Sequence, residues 1–234
     1  MITIRPAAKR GHANYGWLDT YYSFSFANYY DPKQTGFRDL RVINEDFVSP
    51  GRGFGAHPHN DMEIITYIVD GELSHRDSTG REASIKQDDV QRMSAGTGVV
   101  HSEYNNSDAL VHLLQIWILP ERDGVNPTYE DRTFSRAEKT DRLRLIASRD
   151  GRDDSTKINQ DANVYASLLS NGKSVELPLG EKRHAWVQLI SGELDVNGTR
   201  LEKGDGAAIS DENKLTLSSV SGNGAAEFLL FDLA

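Results

Sequence analysis

The chain has 234 residues, no cysteine and a formal net charge of −9. The lack of cysteine excludes disulfides, thiolate metal sites and iron–sulfur clusters, so that any metal ligands must be His, Asp or Glu. The negative charge disfavours direct binding to nucleic acid or to an anionic membrane. Because no apolar run has the roughly 18 residues of a membrane helix, and residues 1–16 lack the apolar core of a signal peptide, we expect a soluble, cytoplasmic protein.

Short runs rich in β-branched and aromatic residues predict strands. In chain order they are residues 63–69, 110–119, 185–190 and 228–233. Turn signals such as Asp70-Gly71 and Asn197-Gly198 lie between them. Many short strands joined by tight turns are typical of an all-β sandwich or barrel.

The sequence contains an internal repeat. The segment 68–73 (IVDGEL) is echoed 121 positions later by 189–194 (LISGEL), and each copy is followed by a second matching turn. The stretch between the copies is charged and rich in turn residues. We therefore predict an N-terminal domain over 1–125, a linker with short helical turns over 126–160, and a C-terminal domain over 161–234 that takes further strands from other segments.

Two pairs of residues have the spacing of metal ligands. His57 and His59 are at positions i and i+2, so an extended strand presents both imidazoles on one face. Pro58 favours an extended path between them. His101 and Glu103 repeat this spacing about forty residues later. Facing strands would bring these four together in a site for Fe(II), Mn(II), Ni(II), Cu(II) or Zn(II) that keeps open coordination positions.

Glu63 leaves the carboxylate ligand ambiguous. In a regular strand it has the same parity as His57 and His59, so Glu63 or Glu103 fits the pattern equally well. We expect the glutamate that does not bind metal to orient a ligating histidine through its second ring nitrogen.

The two segments resemble the two sequence motifs of cupins. The first match comprises Gly51, His57-Pro58-His59, Glu63 and Gly71, and the second is the segment 98–105 (GVVHSEYN). Two positions depart from the second motif, because Gly96 stands where a proline is expected and Val90 where a glycine is expected.

Further segments make the resemblance more specific. His-Pro-His, the segment 93–98 (MSAGTG), His-Ser-Glu and the segment 24–32 (FSFANYYDP) resemble the pirin family of bicupins. The similarity is strongest to bacterial members named quercetin 2,3-dioxygenases. It implies an all-β fold of two cupin barrels in tandem, each a jelly roll, with a few short helical turns.

The resemblance implies one divalent transition metal in the N-terminal barrel. The family's ligand positions fall on His57, His59, His101 and Glu103, which leaves Glu63 beside the ligands. We expect Fe(II), with Ni, Cu, Mn, Co or Zn as alternatives. The C-terminal barrel should be metal-free, and the sequence agrees independently, since Pro178 and Gly180 lie near the positions equivalent to the first histidine pair. The remaining histidines are predicted to be structural or solvated: His12, His75, His112 and His184.

The resemblance also implies an activity, a dioxygenase reaction that opens the central ring of a flavonol and yields a depside and carbon monoxide. Glu103 is the expected base, with Glu63 as the fallback. The alternative is an iron-dependent redox-sensing protein that binds a transcription factor or a metabolic enzyme, for which the net charge favours a basic partner. As partners we expect a flavonol or related small molecule and dioxygen, with no direct contact to nucleic acid or membrane, and the chain acting as a monomer.

Overall fold

The computed structural model describes residues 1–222 and 224–234. Within them, strands dominate, and helical structure is confined to the four-residue α1 (Arg136–Lys139) and the 3-10 turns Ala7–Lys9 and Arg152–Asp154. No helix in the described part of the chain has the length and apolar character needed to cross a membrane. The chain divides into two compact units: an N-terminal unit of residues 11–133 and 156–160, and a C-terminal unit of residues 1–10, 134–155 and 161–234.

The N-terminal unit contains two antiparallel sheets. Their strands are β2 (Gly11–Asn14), β3 (Leu18–Tyr22), β4 (Leu40–Val48), β5 (Arg52–His59), β6 (Glu63–Asp70), β7 (Glu72–Asp77), β8 (Glu82–Lys86), β9 (Asp89–Ser94), β10 (Val99–Asn105), β11 (Val111–Ile118) and β12 (Thr128–Thr133). The two-residue strand β14 (Thr156–Lys157) also falls within the residues of this unit but belongs to neither sheet. The larger sheet has the order β12-β9-β6-β11-β4-β3-β2, and the smaller has the order β5-β10-β7-β8. From β4 to β7, and again from β8 to β11, consecutive strands alternate between the two sheets, as in a jelly roll.

The C-terminal unit repeats this arrangement. Its strands are β1 (Ile2–Arg5), β13 (Arg144–Ser148), β15 (Ala162–Leu169), β16 (Ser174–Pro178), β17 (His184–Ser191), β18 (Glu193–Val196), β19 (Thr199–Glu202), β20 (Gly206–Ile209), β21 (Lys214–Ser219) and β22 (Ala226–Leu233). Its larger sheet has the order β1-β20-β17-β22-β15-β13, and its smaller sheet has the order β16-β21-β18-β19. The expectation of an all-β chain with two cupin barrels is confirmed.

The repeated turn explains the echo in the sequence. Gly71 and Gly192 follow β6 and β17, with φ values of +85° and +77°. A Cβ atom would lie 2.9 Å from the Leu110 carbonyl oxygen at the first glycine and 2.2 Å from the Ala225 carbonyl oxygen at the second. Both the left-handed backbone and the close approach of a neighbouring chain segment therefore require glycine.

The two units differ in extent from the predicted domains. Residues 2–5 form β1, which pairs with β20 of the C-terminal unit. The stretch 126–160, predicted as a linker, contains β12, α1, β13 and β14 instead. β12 pairs with β9 along its whole length, and its residues are exposed or half-buried. An edge strand with little burial shows no apolar alternation, so its charged sequence is indistinguishable from that of a loop.

The interiors of the two barrels differ in polarity. The C-terminal barrel encloses a continuous cluster of buried aliphatic and aromatic side chains that includes Val187, Leu217 and Leu230. The N-terminal barrel has apolar clusters around Leu73 and around Ile64, but its buried residues also include many polar ones: Asn44, Asp46, Thr66, His75, Gln91, His101 and Glu103. The predicted ligands belong to this polar interior.

Candidate metal centre

Strands β5 and β10 bring the predicted ligands to one face of the smaller N-terminal sheet. His101 lies opposite His57, and Val99 lies opposite His59. The register then shifts between His101 and Glu103, because β5 uses one more residue than β10 at that point. Directly opposed residues share a face, and so do residues at i and i+2, so all four predicted side chains lie on the same side of the sheet.

The three imidazoles converge on a common point. The Nε2 atoms of His59 and His101 are 3.0 Å apart, and the ring centroids of His57 and His101 are 4.4 Å apart. One nitrogen from each of the three rings lies within 4.8 Å of the others. Two nitrogens bound at a right angle to one ion, at a typical metal–nitrogen distance of about 2.1 Å, would be separated by about 3.0 Å. The spacing therefore fits a divalent transition metal.

The protonation states also suit metal binding. The Nδ1 atom of His57 donates to the carbonyl oxygen of Gly55 at 2.7 Å, which leaves Nε2 with its lone pair for a metal. Burial, reinforced by the neighbouring imidazoles of His57 and His75, lowers the pKa of His101 to about 3. Burial and the imidazoles of His101 and His57 likewise lower the pKa of His59 to about 4. His59 and His101 are therefore neutral near pH 7, as ligation requires.

Two glutamine amides orient Glu103, which is only 1% exposed. Its Oε1 accepts a hydrogen bond from Nε2 of Gln91 at 2.8 Å, and its Oε2 accepts one from Nε2 of Gln115 at 3.1 Å. The Tyr129 hydroxyl donates to Gln91 Oε1, and the Thr66 hydroxyl donates to Gln115 Oε1. Each glutamine is held in turn, so the carboxylate is fixed before any ligand arrives. The sequence analysis missed these residues.

A second group of candidate ligand atoms includes His75. One ligand atom from each of His75, His101 and Glu103 lies within 4.8 Å of the others. The buried His75 Nε2 lies 3.0 Å from Asp77 Oδ2. Burial acts to raise the pKa of Asp77, but hydrogen bonds from Thr79 and His75 lower it overall. The sequence alone predicts no role for His75, because its neighbours in the site are more than twenty residues away.

Glu63 lies in a different set of contacts. It is 1% exposed, and its carboxylate accepts hydrogen bonds from Ser94 Oγ at 2.6 Å and from Asn159 Nδ2 at 2.9 Å. Neither compact group of candidate ligands in the described residues contains it. The register explains this placement, since Glu63 pairs with Ser94 in the larger sheet rather than with a residue of β5 or β10.

The other histidines each have a partner outside the centre. His12 lies 2.7 Å from Asp19 Oδ1, His112 lies 3.0 Å from Glu45 Oε1, and His184 lies 2.7 Å from Ser210 Oγ. His112 also stacks on Phe47, with 4.3 Å between the ring centroids. These contacts are consistent with the structural or surface roles that the sequence predicts for these three.

A cavity of about 400 Å³ opens onto the candidate ligands. Its lining contains His57, His59 and Glu103 together with the polar residues Asn44, Asp46 and Gln115. Four aromatic side chains also line the cavity: Trp17, Phe26, Phe54 and Trp117. Three of the four candidate ligands therefore lie in the wall of a cavity of a size typical of small-molecule sites.

Two family models match the sequence. The one described as Pirin matches residues 3–118. The one described as Quercetinase C-terminal cupin domain matches residues 145–233. Together they cover both barrels.

Curated relatives are similar over the whole chain. A protein of Escherichia coli K12 named quercetin 2,3-dioxygenase is 46% identical over 235 residues, which cover 100% of this chain and 99% of that protein. A protein of Caulobacter vibrioides named pirin-like protein is 39% identical over 235 residues and 100% of both chains.

Solved structures show the same similarity. The crystal structure of YhhW from E. coli superposes with a TM-score of 0.95 at 45% identity, covering 100% of this chain and 98% of that one. A second structure, described as bacterial pirin YhhW in complex with nickel(II), gives a TM-score of 0.94 at 44% identity, with 100% and 99% coverage.

Proposed function

The chain belongs to the pirin family, and from this premise we propose that it is a metal-dependent dioxygenase that cleaves the central ring of flavonols such as quercetin. The supporting observation is the position of the candidate ligands His57, His59 and Glu103 in the wall of an aromatic-lined cavity. The cavity volume of about 400 Å³ falls within the roughly 300–1,000 Å³ typical of small-molecule sites. Of the similar proteins described above, one carries the name of this activity, and one structure is described as a complex with nickel(II).

In this proposal His57, His59, His101 and Glu103 hold one divalent metal, which we propose to be Fe(II). Their donor set of three neutral nitrogens and one carboxylate suits Fe(II), Ni(II), Cu(II), Mn(II), Co(II) or Zn(II), so supply in the cell contributes to the choice among them. When bound, the metal supplies Lewis acidity, which lowers the pKa of a coordinated flavonol hydroxyl.

Glu103 is the proposed proton acceptor. Each of its oxygens accepts only one amide hydrogen bond, from Gln91 or Gln115. A carboxylate has about four lone-pair sites, so Glu103 retains capacity for the proton of the flavonol 3-hydroxyl. The two glutamines keep the carboxylate in place as it gains that proton.

The aromatic walls position the substrate. Trp17 and Phe54 contact each other edge to face at 5.2 Å, and Trp117 contacts His59 at 4.9 Å between ring centroids. These rings offer apolar surface against which a flat polyphenol can stack, and they exclude water from the reacting carbons. The overall reaction would add both atoms of dioxygen to the flavonol, break two carbon–carbon bonds of the central ring and release carbon monoxide.

A turnover assay with matched variants tests the proposal. The protein is loaded with metal without oxygen, mixed with quercetin and exposed to air while the flavonol absorbance band is followed. We expect the band to disappear with the wild-type protein and to persist with His57→Ala. Metal uptake with no loss of the band in the wild type would overturn the proposal and favour a regulatory redox role.

Two isosteric variants distinguish the glutamates. We expect Glu103→Gln to lose turnover, and Glu63→Gln to retain most of it, because Glu63 hydrogen-bonds to Ser94 and Asn159 instead of lining the cavity. If Glu103→Gln binds metal and still turns over, Glu103 is not the base. Elemental analysis of the protein purified from its own source identifies the native metal.

A further inference from the structure

Two buried oxygen atoms on β4 lack hydrogen-bond partners. Asn44 and Asp46 are at positions i and i+2, so their side chains share one face of the strand, and each residue is only 4% exposed. Within the described part of the chain, the Oδ1 atoms of both residues are buried without a partner. An unsatisfied buried polar group costs about 1–3 kcal/mol, so two side by side are unusual.

Both residues line the cavity that contains His57, His59 and Glu103. Trp117 lines it too, and its buried indole N–H lacks an acceptor among the described residues. Asn44, Asp46 and Trp117 therefore contribute two unpaired acceptors and one unpaired donor to residues of the cavity wall, in addition to the candidate metal ligands. This pattern is complementary to a ligand that carries hydroxyl groups and an oxygen acceptor.

We propose that Asn44 and Asp46 form a subsite that binds the phenolic hydroxyl groups of a polyhydroxylated aromatic ligand. The inference deepens the proposed function and rests on it for the identity of the ligand as a flavonol. The metal centre would take the oxygen pair of the central ring, and the subsite would select for hydroxyls elsewhere on the molecule. The aromatic rings of Trp17 and Phe54 suit the flat body of such a ligand.

The electrostatics favour a neutral hydroxyl over a cation as the occupant. Burial raises the pKa of Asp46 to about 7, with the Thr20 hydroxyl opposing this shift and the carboxylates of Glu103 and Glu45 adding to it. Asn44, the other residue of the subsite, is uncharged, so the pair is a poor site for a second metal ion.

The test measures binding separately from turnover. Nickel-loaded protein is titrated without oxygen with quercetin and with 3-hydroxyflavone, which shares the chelating oxygen pair but lacks the other hydroxyls. Quenching of tryptophan fluorescence reports the binding. We expect the wild type to bind quercetin at least about tenfold more tightly than 3-hydroxyflavone, because quercetin can make hydrogen bonds at the subsite that 3-hydroxyflavone cannot make.

Variants of the two residues should remove this preference. We expect Asp46→Ala and Asn44→Ala each to bring the two affinities within about threefold, while 3-hydroxyflavone binding stays near the wild-type value. Asp46→Asn keeps an acceptor and should retain part of the preference, and it serves if the alanine variant fails to fold. Glu45→Ala is the matched control, because Glu45 lies on the other face of β4 beside His112 and should leave the preference intact.

The outcomes separate this inference from the proposed function. If Asp46→Ala and Asn44→Ala keep the wild-type preference while turnover is intact, the subsite is wrong and the dioxygenase proposal stands. If the preference is present and depends on these residues but no turnover occurs, the subsite stands and the dioxygenase proposal falls. The subsite would be overturned if neither flavonol bound saturably to the protein. It would also be overturned if the wild type bound a second metal ion that the Asp46→Ala variant did not bind.

Discussion

The two barrels have the same strand order, but the interior of one is polar and the interior of the other is apolar. In the N-terminal barrel, Gln115 pairs with Thr66, and Thr66 pairs with Gln91. Alignment through the repeated glycine turn places Leu230, Val187 and Ala207 in the same row of the C-terminal barrel, where they pair in the same way. A polar row that holds Glu103 in one barrel is thus an aliphatic row in the other.

The strands of the two smaller sheets differ in polarity in the same way. His75 pairs with Glu103 in the N-terminal barrel, and the equivalent Val196 pairs with Leu217 in the C-terminal barrel. His57 pairs with His101, whereas Leu177 pairs with Leu215. The backbone topology therefore creates an enclosed interior, and the inward-facing side chains alone decide whether it becomes a packed core or a candidate metal centre.

The largest effect is expected when a candidate ligand of the N-terminal barrel is replaced by the residue at the equivalent position of the C-terminal barrel. His101→Leu introduces the side chain found at the equivalent Leu215, and it removes a central nitrogen of the cluster. We expect metal affinity to fall by at least about 100-fold, beyond the effect of losing an outer-shell partner. Calorimetric titration with nickel checks this. His184→Leu in the C-terminal barrel should leave the affinity unchanged, and an unchanged affinity in His101→Leu would refute the assignment.

The reverse exchange tests the apolar barrel. Leu230→Gln buries an amide among aliphatic side chains, where the partners that Gln115 has in the other barrel are missing. We expect a loss of about 2–4 kcal/mol in the free energy of unfolding, from lost packing and an unpaired amide. Urea denaturation measures it. A variant as stable as the wild type would show that the C-terminal interior tolerates polarity, which contradicts the contrast drawn here.

A milder exchange probes the polar row. Gln115→Leu removes the amide that donates to Glu103 Oε2 and introduces the residue found at Leu230. We expect metal affinity to fall about 10–100-fold, as for other partners of metal ligands. The thermal stability of the metal-free protein should fall, because the Glu103 carboxylate and the Thr66 hydroxyl stay buried and each loses a hydrogen-bond partner. Gln34→Leu, outside the site, is the control, and the same affinity in both variants would exclude a role for Gln115.

The smallest expected effect is a pH dependence in the metal-free protein. The pKa values of His59 and His101 lie near 4 and 3 in the folded state, below the value of about 6.5 in an unfolded chain. Between these values the unfolded state binds more protons, so this stability is complete above about pH 6.5 and is lost as the pH falls towards 4 and 3. Asp46, whose pKa is raised to about 7, acts oppositely and loses its contribution as the pH rises through 7.

The two histidines should outweigh the single aspartate. We expect the melting temperature of the metal-free protein to fall by roughly 2–6 °C between pH 7 and pH 5. His101→Asn should reduce this fall, because asparagine does not titrate. A melting temperature that rises towards pH 5 in the wild type would mean that Asp46 dominates.

Much of the fold was predictable because its signals are local. Gly71 and Gly192 mark equivalent turns, and the strands that precede them, β6 and β17, are short runs rich in β-branched and aromatic residues. The edge strand β12 and the strand β1, which pairs with β20, were not predictable, since neither has a buried face that a period of two would reveal. Their positions depend on pairing with distant strands.

The candidate ligands were predictable from spacing, whereas their surroundings were not. His57-Pro58-His59 and His101-Ser102-Glu103 each place two ligands on one strand face. Gln91, Gln115 and His75 each come from a separate strand and carry no motif. A signal does exist for Asn44 and Asp46, because in β4 they occupy the inward parity of Leu40, Val42 and Val48. Polar residues at apolar positions of an alternating strand indicate a functional interior.

The most direct test of the central claim is a crystal structure of the nickel-loaded protein with anomalous diffraction data. The account predicts one ion per chain, about 2.0–2.2 Å from nitrogens of His57, His59 and His101 and from an oxygen of Glu103, with its remaining coordination positions facing the aromatic cavity. An ion bound instead through His75, an ion in the C-terminal barrel, or a coordination sphere closed to the cavity would contradict it.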